Sequence, residues 1–557
     1  MNIDIRIADR EPTLADLLEV LARNDRLSKT RRRDLISAVK TTARLLNRNP
    51  PEIPAKAKEL RERLARVHPT QANMTGKRLA NIKSDLAAAL KLVPAQAKVR
   101  IREGGYSAPW RAFRESLETD WQRYTLARLA RYCSARRIPP ERVSDELIGR
   151  FREHLDQTQI AKNPDKIAHI TIQTWNGFVS RTGADLPLLT KPASRRFITR
   201  PLSDYPQSFR DDLQAWLDRL SQSAIFEEDA PPKPLRPDTL RNIRASIRQF
   251  AHTLVEQGTP IHSLTTLADL VRLDAYKSGL RYFYERNGNS PPTWLANMAG
   301  HLVAIAKYHV RVDAKELEQL RTLKARLAVE SPGLTEKNKA RLAQFEDTRN
   351  VDRLLTLPAH LLGRAKASKR VSSRVALGVM YAVAIELLLA CPIRVGNLAR
   401  LNIATHFRWY GQGRSQRLAM VIPGSEVKNK EPIEVDLPQE SMRLVKTYLA
   451  DWRPLVSDEP GDWLFPARGG GHRLPGHLSQ EMSRVIFKHT GLRVNAHLFR
   501  HLAGMLYLIE NPGDYETVRR LLGHRKMTTT TTFYAPLENK QAVKRYDEAV
   551  LSKRRRT

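Results

Sequence analysis

The chain has 557 residues, with 94 Lys and Arg against 59 Asp and Glu, so its formal net charge is +35. That length predicts three or four domains, and 41% hydrophobic residues exclude wholesale disorder. Cys133 and Cys391 are the only cysteines, which excludes a disulfide framework and favours a reducing cytosol. The charge is spread along the chain and not confined to residues 553–556. It favours a polyanionic partner, nucleic acid before an anionic membrane.

Neither the start of the chain nor its most apolar stretch predicts a membrane protein. The first residues are charged and lack an apolar segment, so no signal peptide is expected. Residues 375–393 carry one charge, Glu386, and are long enough to span a bilayer. Because a carboxylate in mid-span is costly in lipid, this stretch predicts a buried core helix.

Three helical blocks follow one another in the first part of the chain, separated by proline-rich or polar breaks at residues 186–206, 227–237 and 331–339. Each block has an amphipathic helix that stops at a turn and is followed by further helical pattern. The apolar stripes of these helices are Ile36, Val39, Ala43 and Leu46; Leu126, Leu129, Ala130 and Cys133; and Ile243, Ile247, Phe250, Ala251 and Leu254. The blocks are interpreted as related bundles, with chance similarity of helical sequences as the alternative.

The last block, from about residue 340, mixes helices with two predicted strands. Residues 418–422 form an apolar run, and Ile433, Val435 and Leu437 alternate with acidic residues at period two. A hairpin or longer turn that contains Lys428 and Lys430 lies between them.

Metal and phosphate-loop signatures are weak. His497 and His501 lie four residues apart, but no HExxH motif surrounds them and no third ligand is evident. The glycines at 469–471 lack the Lys-Ser/Thr of a Walker loop and predict a flexible loop. No metal and no cofactor are expected.

An ordered set of charged and aromatic residues stands out in the last block. It runs through CPIRVGNL, the lysine hairpin, HLFRH, LLGH and FY, and its members are Arg394, Lys428, His497, Arg500, His524 and Tyr534. This order resembles the tyrosine recombinase (phage integrase) family. The resemblance covers about residues 340–546, and residues 238–311 resemble the family's helical core-binding domain more loosely.

The resemblance implies a mainly α multidomain fold: helical N-terminal and core-binding (SAM-like) bundles, then an α+β catalytic domain with a small antiparallel sheet. The expected domains are an N-terminal helical domain at 1–100, a second helical domain at 101–204, a core-binding domain at 205–335 and the catalytic domain at 336–557. The second domain, 101–204, could also be a core-binding-like domain.

The resemblance also implies a chemistry that needs neither metal nor ATP. Tyr534 attacks the scissile DNA phosphate and forms a 3′-phosphotyrosyl bond. Arg394 and Arg500 grip the non-bridging oxygens, because guanidinium is always charged and presents a planar fork. Lys428 protonates the departing 5′-oxygen, and His497 acts in acid/base work on the tyrosine proton. The sixth residue, His524, hydrogen-bonds the phosphate.

Several alternatives remain open at this point. Lys430 competes with Lys428, although the count back from the second strand favours Lys428. Tyr507, Tyr515 and Tyr546 compete with Tyr534. Two of the residues also have a purely structural interpretation. Arg500 could pair with a carboxylate, and His501 is interpreted as a structural residue of its helix. The Thr528–Thr532 run is interpreted as a loop or as a mobile segment that carries the nucleophile.

The family often reads Thr-Gly-x-Arg-x-x-Glu around its first arginine, and this chain departs from that pattern at two positions. Pro392 replaces a glycine, and Asn397 replaces an acid. The departures put in doubt the residues that support Arg394, and not Arg394 itself.

The function predicted from the sequence is a site-specific DNA recombinase, the integrase or transposase of a mobile element. It would act in the cytoplasm, at the bacterial nucleoid. Its partners would be double-stranded DNA and three further copies of itself, as a tetramer on two DNA sites, with accessory recombinases or directionality factors and no membrane. The amphipathic segment 537–553 would dock on a neighbouring protomer, or else on its own domain. The rival functions are a type IB topoisomerase or telomere resolvase, and a non-catalytic architectural DNA-binding protein.

Overall fold

The computed structural model describes residues 11–92, 105–160, 162–190, 199–222, 234–329, 333–457 and 461–550. The first ten residues and the basic run at 553–556 lie outside the described residues. The chain divides into two compact units, whose boundaries lie at 192/193 and 332/333. Residues 193–332 belong to one unit, and the remainder of the chain belongs to the other.

Two helical blocks occupy the first part of the chain. Their helices are α1 (Leu14–Ala22), α2 (Lys29–Leu45), α3 (Ala57–Leu64) and α4 (Gly76–Leu90), then α5 (Ala108–Glu115), α6 (Asp120–Ser134), α7 (Asp145–Thr158) and α8 (Pro164–Thr182). Arg61 of α3 joins the blocks, because its guanidinium donates to the carbonyls of Asp156 (2.9 Å) and Gln159 (2.7 Å).

The separate unit, 193–332, is also helical. It contains α9 (Gln207–Ser221), α10 (Pro237–Glu256), α11 (Ala268–Val271), α12 (Leu273–Arg286), α13 (Thr293–Ile305) and α14 (Ala314–Arg326). Its apolar core includes Phe209, Trp216, Phe250 and Tyr276, all of which are almost fully buried.

The three predicted amphipathic helices are confirmed as α2, α6 and α10, with their apolar stripes buried or packed on the cores. Each helix is followed by a residue with positive φ (Asn47, Arg137 or Gly258) and then by a short 3-10 turn. These turns are Pro50–Glu52, Pro140–Arg142 and Ile261–Ser263. The same local geometry in all three blocks supports their interpretation as related bundles. The four domain boundaries expected from the sequence stay predictions.

The C-terminal block, residues 333–550, contains eleven of the described α-helices and the sheet. Its helices are α15 (Glu336–Leu342), α16 (Thr348–Leu355), α17 (Leu357–Lys366), α18 (Ser373–Ala390), α19 (Val395–Ala399), α20 (Ile403–His406), α21 (Gln439–Thr447), α22 (Pro475–Thr490), α23 (Ala496–Glu510), α24 (Tyr515–Leu522) and α25 (Met527–Ala549). The described fold is thus mainly α with one small sheet, as the sequence predicts.

The sheet has three antiparallel strands in the order β1 (Phe407–Tyr410), β2 (Arg417–Ile422) and β3 (Ile433–Asp436). Both predicted strands are confirmed, and Val421 pairs with Glu434 in their register. The first strand was not predicted, because its four residues, FRWY, are too few to show an alternating pattern.

Helix α18 is the apolar stretch that the sequence predicts to be buried. Among the described residues, it is the one helix long and apolar enough to cross a membrane. Its apolar residues lie in the core of the C-terminal block, and the Glu386 carboxylate accepts a hydrogen bond from the Ser441 hydroxyl (2.6 Å). The prediction of a buried core helix is confirmed.

The sequence suggested a loop for the threonine run before Tyr534, and this is wrong: the run forms the first turns of α25. The hydroxyl of Thr532 donates to the carbonyl of Thr528 (2.7 Å), so the hydroxyls bond the helix's own preceding turn. Intrinsic propensity, which is poor for threonine, is overridden here by burial of Thr530 and Tyr534.

Candidate active site

Two arginines are brought together by the ends of two helices in the C-terminal block. Arg394 is the residue before α19, where the chain turns after the buried helix α18. Arg500 lies in α23, which begins at an Asn495 cap whose side chain accepts from the Leu498 amide. Arg500 is only 6% exposed, so its charge has to be compensated within the protein or by a bound anion.

The Arg500 guanidinium is held by backbone carbonyls. It donates to the Pro392 carbonyl (2.7 Å) and to that of Leu522. Among the described residues, no carboxylate lies within 4.0 Å of Arg500 or Arg394. The proline that replaces the family's glycine at 392 still presents the backbone carbonyl that orients Arg500. The alternative in which Arg500 only forms an ion pair with a carboxylate is excluded among the described residues. Both positive charges remain available to a ligand.

A cavity of about 260 Å³ opens between these arginines and the sheet. Its lining contains Arg394, Arg500, Val427, Asn429, Glu431, Glu434, Arg520, Leu522 and Gly523, among others. Burial lowers the pKa of Arg394, and burial together with the nearby Arg394 charge lowers the pKa of Arg500 to about 10. Both groups are still charged at neutral pH, and an anion in the cavity would relieve their mutual repulsion.

Two histidines flank the arginine pair. Partial desolvation and the charges of Arg500 and Arg394 lower the pKa of His497, although the side chain stays partly open to solvent. Burial and the same two charges lower the pKa of His524 to about 4. The His524 Nδ1 atom lies 3.0 Å from the buried Thr530 hydroxyl. When that hydroxyl donates to Nδ1, Nε2 carries the proton and is free to donate to an anion.

The predicted lysine is exposed in the turn between β2 and β3. Lys428 lies between Val427 and Asn429, which both line the cavity, but it is not itself in the lining. Lys430 has the same relation to Asn429 and Glu431, and its backbone has φ +61°. The choice of Lys428 over Lys430 therefore stays a prediction.

Tyr534 is fully buried, and it does not line the cavity. Its hydroxyl donates to the Arg500 carbonyl (3.2 Å) and lies 3.3 Å from His501 Nδ1. A Cβ atom on Gly504 would come within 2.7 Å of the tyrosine ring, so only glycine leaves this space. We call this pocket on α23 the tyrosine seat: Arg500, His501 and Gly504. Burial raises the pKa of Tyr534 above its ordinary value.

The competing tyrosines have other environments. The Tyr507 hydroxyl donates to the Asp514 carboxylate (2.7 Å), and Tyr546 is 55% exposed on α25. Tyr546 lies twelve residues beyond Tyr534 on the same helix, about 18 Å along its axis.

Sequence reasoning missed two residues of the site. His501 was interpreted as a structural residue, but it contacts Tyr534, and its position next to Arg500 was the available signal. Asn429 approaches Arg394 and bonds the Gly523 carbonyl (2.7 Å). No residue pattern in the sequence predicts the hydrogen bond between Asn429 and Gly523, which are 94 positions apart.

Comparison with known proteins assigns this part of the chain. The model of the phage integrase family matches residues 364–540. The tyrosine recombinase XerD of Rhizobium meliloti (strain 1021) is 31% identical over 184 residues, which are 32% of this chain and 55% of that protein. The tyrosine recombinase XerC of Shewanella amazonensis (strain ATCC BAA-1098 / SB2B) is 26% identical over 341 residues, which are 61% of this chain and 96% of that protein. The XerH site-specific recombinase bound to difH substrate covers 60% of this chain and 96% of its own, at 15% identity and a TM-score of 0.36.

Residues 364–540 of the C-terminal block thus match the phage integrase family, and over this part the chain is similar to tyrosine recombinases. The chain spans just over half the length of the XerD relative that it matches.

Proposed function

We propose that the protein is a site-specific DNA recombinase that cuts and rejoins DNA through a 3′-phosphotyrosyl intermediate. The observation that carries the proposal is the arginine pair: Arg500 on the helix that seats Tyr534, and the half-buried Arg394 near it, with no carboxylate partner for either among the described residues. A buried charge without a partner destabilises a fold, and a bound anion offsets that cost. A phosphodiester supplies the missing negative charge.

Each proposed catalytic residue has a separate role. Arg394 and Arg500 stabilise charge on the phosphorane, and the Nε2–H of His524 donates to the same phosphate. His497 takes the proton of Tyr534, since a histidine with a lowered pKa is neutral at pH 7. Lys428 gives its proton to the 5′-oxygen. No step needs a metal or ATP, because the side chains supply the positive charge and the phosphotyrosyl bond keeps the bond energy.

The nucleophile has to move before it reacts. Tyr534 is buried in its seat and points its hydroxyl at the Arg500 carbonyl, outside the lining of the cavity. The proposed cycle therefore includes release of Tyr534 from the seat, which brings its oxygen in line with a phosphate held by the two arginines. Burial in the seat also keeps the phenol protonated until then.

The protein acts, we propose further, as the integrase of a mobile element. The matched family segment begins only at residue 364, and two helical blocks with their own cores precede the 193–332 unit. A recombinase with additional DNA-binding blocks can bind a longer site, which suits an element that must recognise its own ends. The net charge of +35 supports many phosphate contacts.

Assembly in the proposed mechanism uses the end of α25. Ala542, Val543, Tyr546, Ala549 and Val550 form the predicted apolar stripe, and all five are exposed. The exposure of these five side chains supports docking on another molecule over docking on their own domain. We propose that the stripe docks on a neighbouring protomer, and that four protomers assemble on two DNA sites.

A nicked DNA substrate tests the proposed function. The nick lies just 3′ of the cleavage site, so the short 5′-hydroxyl fragment diffuses away and the covalent complex is trapped. We expect a covalent adduct, and strand exchange when two intact sites are supplied. An adduct without strand exchange, accompanied by relaxation of supercoiled plasmid, would instead support a topoisomerase. Binding without any adduct would support an architectural protein.

A further inference from the structure

The turn between β2 and β3 is fastened to the loop that carries His524. The Asn429 side-chain amide donates to the Gly523 carbonyl (2.7 Å). In the opposite direction, the Arg525 guanidinium donates twice to the Asn429 carbonyl, from an Nη atom (2.7 Å) and from Nε (3.2 Å). Three hydrogen bonds thus connect a turn and a loop that are more than 90 residues apart in the chain.

Gly523 makes this approach possible. It ends α24 in the left-handed conformation, with φ +56°. A Cβ atom at this position would lie 3.1 Å from the Asn429 amide nitrogen, closer than ordinary van der Waals contact. A glycine therefore serves both the backbone turn before His524 and the contact with Asn429.

The fastened turn is the one that carries the proposed general acid. Lys428 precedes Asn429 directly, and His524 lies between Gly523 and Arg525 in the chain. We propose that Asn429 and Arg525 are positioning residues: they hold the lysine turn against the His524 loop, so that Lys428 and His524 act on one phosphate. We name these contacts the turn clamp. The proposal rests on the proposed function, in which Lys428 protonates the leaving group.

A second contact of Asn429 points to a weaker effect. Its side-chain oxygen lies 3.5 Å from the Arg394 guanidinium, at the outer limit of a hydrogen bond. Asn429 also donates to the Glu431 carboxylate within the turn (3.3 Å). The three bonds between the turn and the His524 loop are all shorter than the Arg394 contact, so the clamp is expected to act mainly on the lysine. Loss of the clamp should therefore impair protonation of the leaving group by Lys428 more than stabilisation of the phosphorane charge by Arg394.

The chemistry of the leaving group allows this distinction to be measured. In the cleavage step Tyr534 gives its proton to His497 and its oxygen bonds to phosphorus, the bond from phosphorus to O5′ breaks, and the lysine ammonium proton moves to O5′. When sulfur replaces O5′, a thiolate leaves without a proton, because a thiol is far more acidic than an alcohol. A variant that has lost only the positioning of its acid is therefore restored by the sulfur substrate.

The experiment compares cleavage of nicked substrates with O5′ or S5′ by full-length variants. We expect Asn429→Ala and Arg525→Ala to cleave the O5′ substrate about 10- to 100-fold more slowly than the parent protein. On the S5′ substrate they should lie within about threefold of it. The double variant Lys428→Ala with Asn429→Ala should be no slower than Lys428→Ala alone, because the clamp acts through that lysine.

Lys526→Ala is the matched control. It removes one positive charge next to Arg525 on the exposed surface, from a residue whose side chain makes no described hydrogen bond to the turn. Lys526→Ala and Arg525→Ala should weaken DNA binding to the same extent, while only Arg525→Ala slows cleavage of bound O5′ substrate. Both side chains are exposed, so melting temperatures should stay close to that of the parent protein.

Two results would overturn the clamp. One is cleavage of the O5′ substrate by Asn429→Ala and Arg525→Ala at the parent rate. The other is an equal defect on O5′ and S5′ substrates, which indicates a general loss of the site. A separate result addresses the proposed function: when Lys428→Ala itself is not restored by S5′, the acid assignment is wrong, whatever the clamp variants do.

Discussion

Release of the nucleophile from the tyrosine seat should limit the rate of cleavage, and Gly504→Ala tests this directly. The new Cβ atom would lie 2.7 Å from Cε1 and Cζ of Tyr534 and 3.1 Å from its hydroxyl. Ordinary van der Waals contact begins near 3.4 Å, so the ring has to shift by about 0.7 Å or leave the seat. Overpacking of this kind costs about 1–3 kcal/mol.

The expected size follows from the burial of Tyr534. A fully buried aromatic side chain gains about 1.5–3 kcal/mol from burial, so the released tyrosine is populated at roughly 1 in 13 to 1 in 160 molecules. A destabilisation of about 1.4 kcal/mol in the seat raises that population about tenfold. We expect Gly504→Ala to form covalent adduct on a nicked substrate about tenfold faster, with binding unchanged.

Gly363→Ala is the control, because this glycine lies at an exposed position of α17 in the same block, with no atom within 4 Å of its added Cβ. It should gain up to about 1 kcal/mol of helix stability and leave the adduct rate unchanged. Nitration of Tyr534 by tetranitromethane, followed by mass spectrometry of its peptide, reports exposure independently. A folded Gly504→Ala protein with raised nitration and an unchanged or slower adduct rate would refute the claim that release limits cleavage.

Three further predictions concern pH, salt and assembly. Burial with neighbouring positive charge holds the pKa of His501 at about 4, below its unfolded value. Its contribution to stability is therefore complete above pH 6.5 and is lost as the pH falls toward 4, by up to about 3 kcal/mol. His501→Asn should reduce the dependence of the urea-unfolding free energy on pH in that window, and an unchanged slope would contradict the assigned burial. The affinity for DNA should fall with log salt at a slope of about −0.9 per phosphate contact; a flat dependence in a binding titration between 50 and 200 mM salt, the range typical of such measurements, would mean that the +35 charge serves mainly solubility. Truncation after Leu537 should abolish synapsis of two sites in a gel-shift assay while single-site binding persists, whereas recombination at the full-length rate would exclude docking of the terminal stripe on a neighbour.

The sequence predicted the elements of this protein better than their contacts. Amphipathic stripes fixed α2, α6 and α10, because a helix that buries one face leaves its period in the residues. The lysine hairpin was predicted from the alternation of Ile433 and Val435, and both strands that flank it are present.

The parts that could not be predicted depend on tertiary contacts. Thr528–Thr532 has poor helix propensity, yet it is helical because Thr530 and Tyr534 are buried and Tyr534 packs against α23. The burial of Tyr534 and its contact with His501 depend on how α25 folds back on α23, and spacing along the chain carries no information about that. The substitution of Asn397 for an acid suggested weak support for Arg394. The structure shows that Asn429, 35 residues away, approaches Arg394 from the lysine turn instead.

The most direct test of the central claim is identification of the residue that carries DNA in a trapped adduct. After incubation with the nicked substrate and digestion, mass spectrometry should find a 3′-phosphonucleotide on the peptide that contains Tyr534, and Tyr534→Phe should form no adduct while it still binds the site. Modification of Tyr507, Tyr515 or Tyr546, or an adduct formed by Tyr534→Phe at near the parent yield, would contradict the assignment of the tyrosine seat as the resting place of the nucleophile.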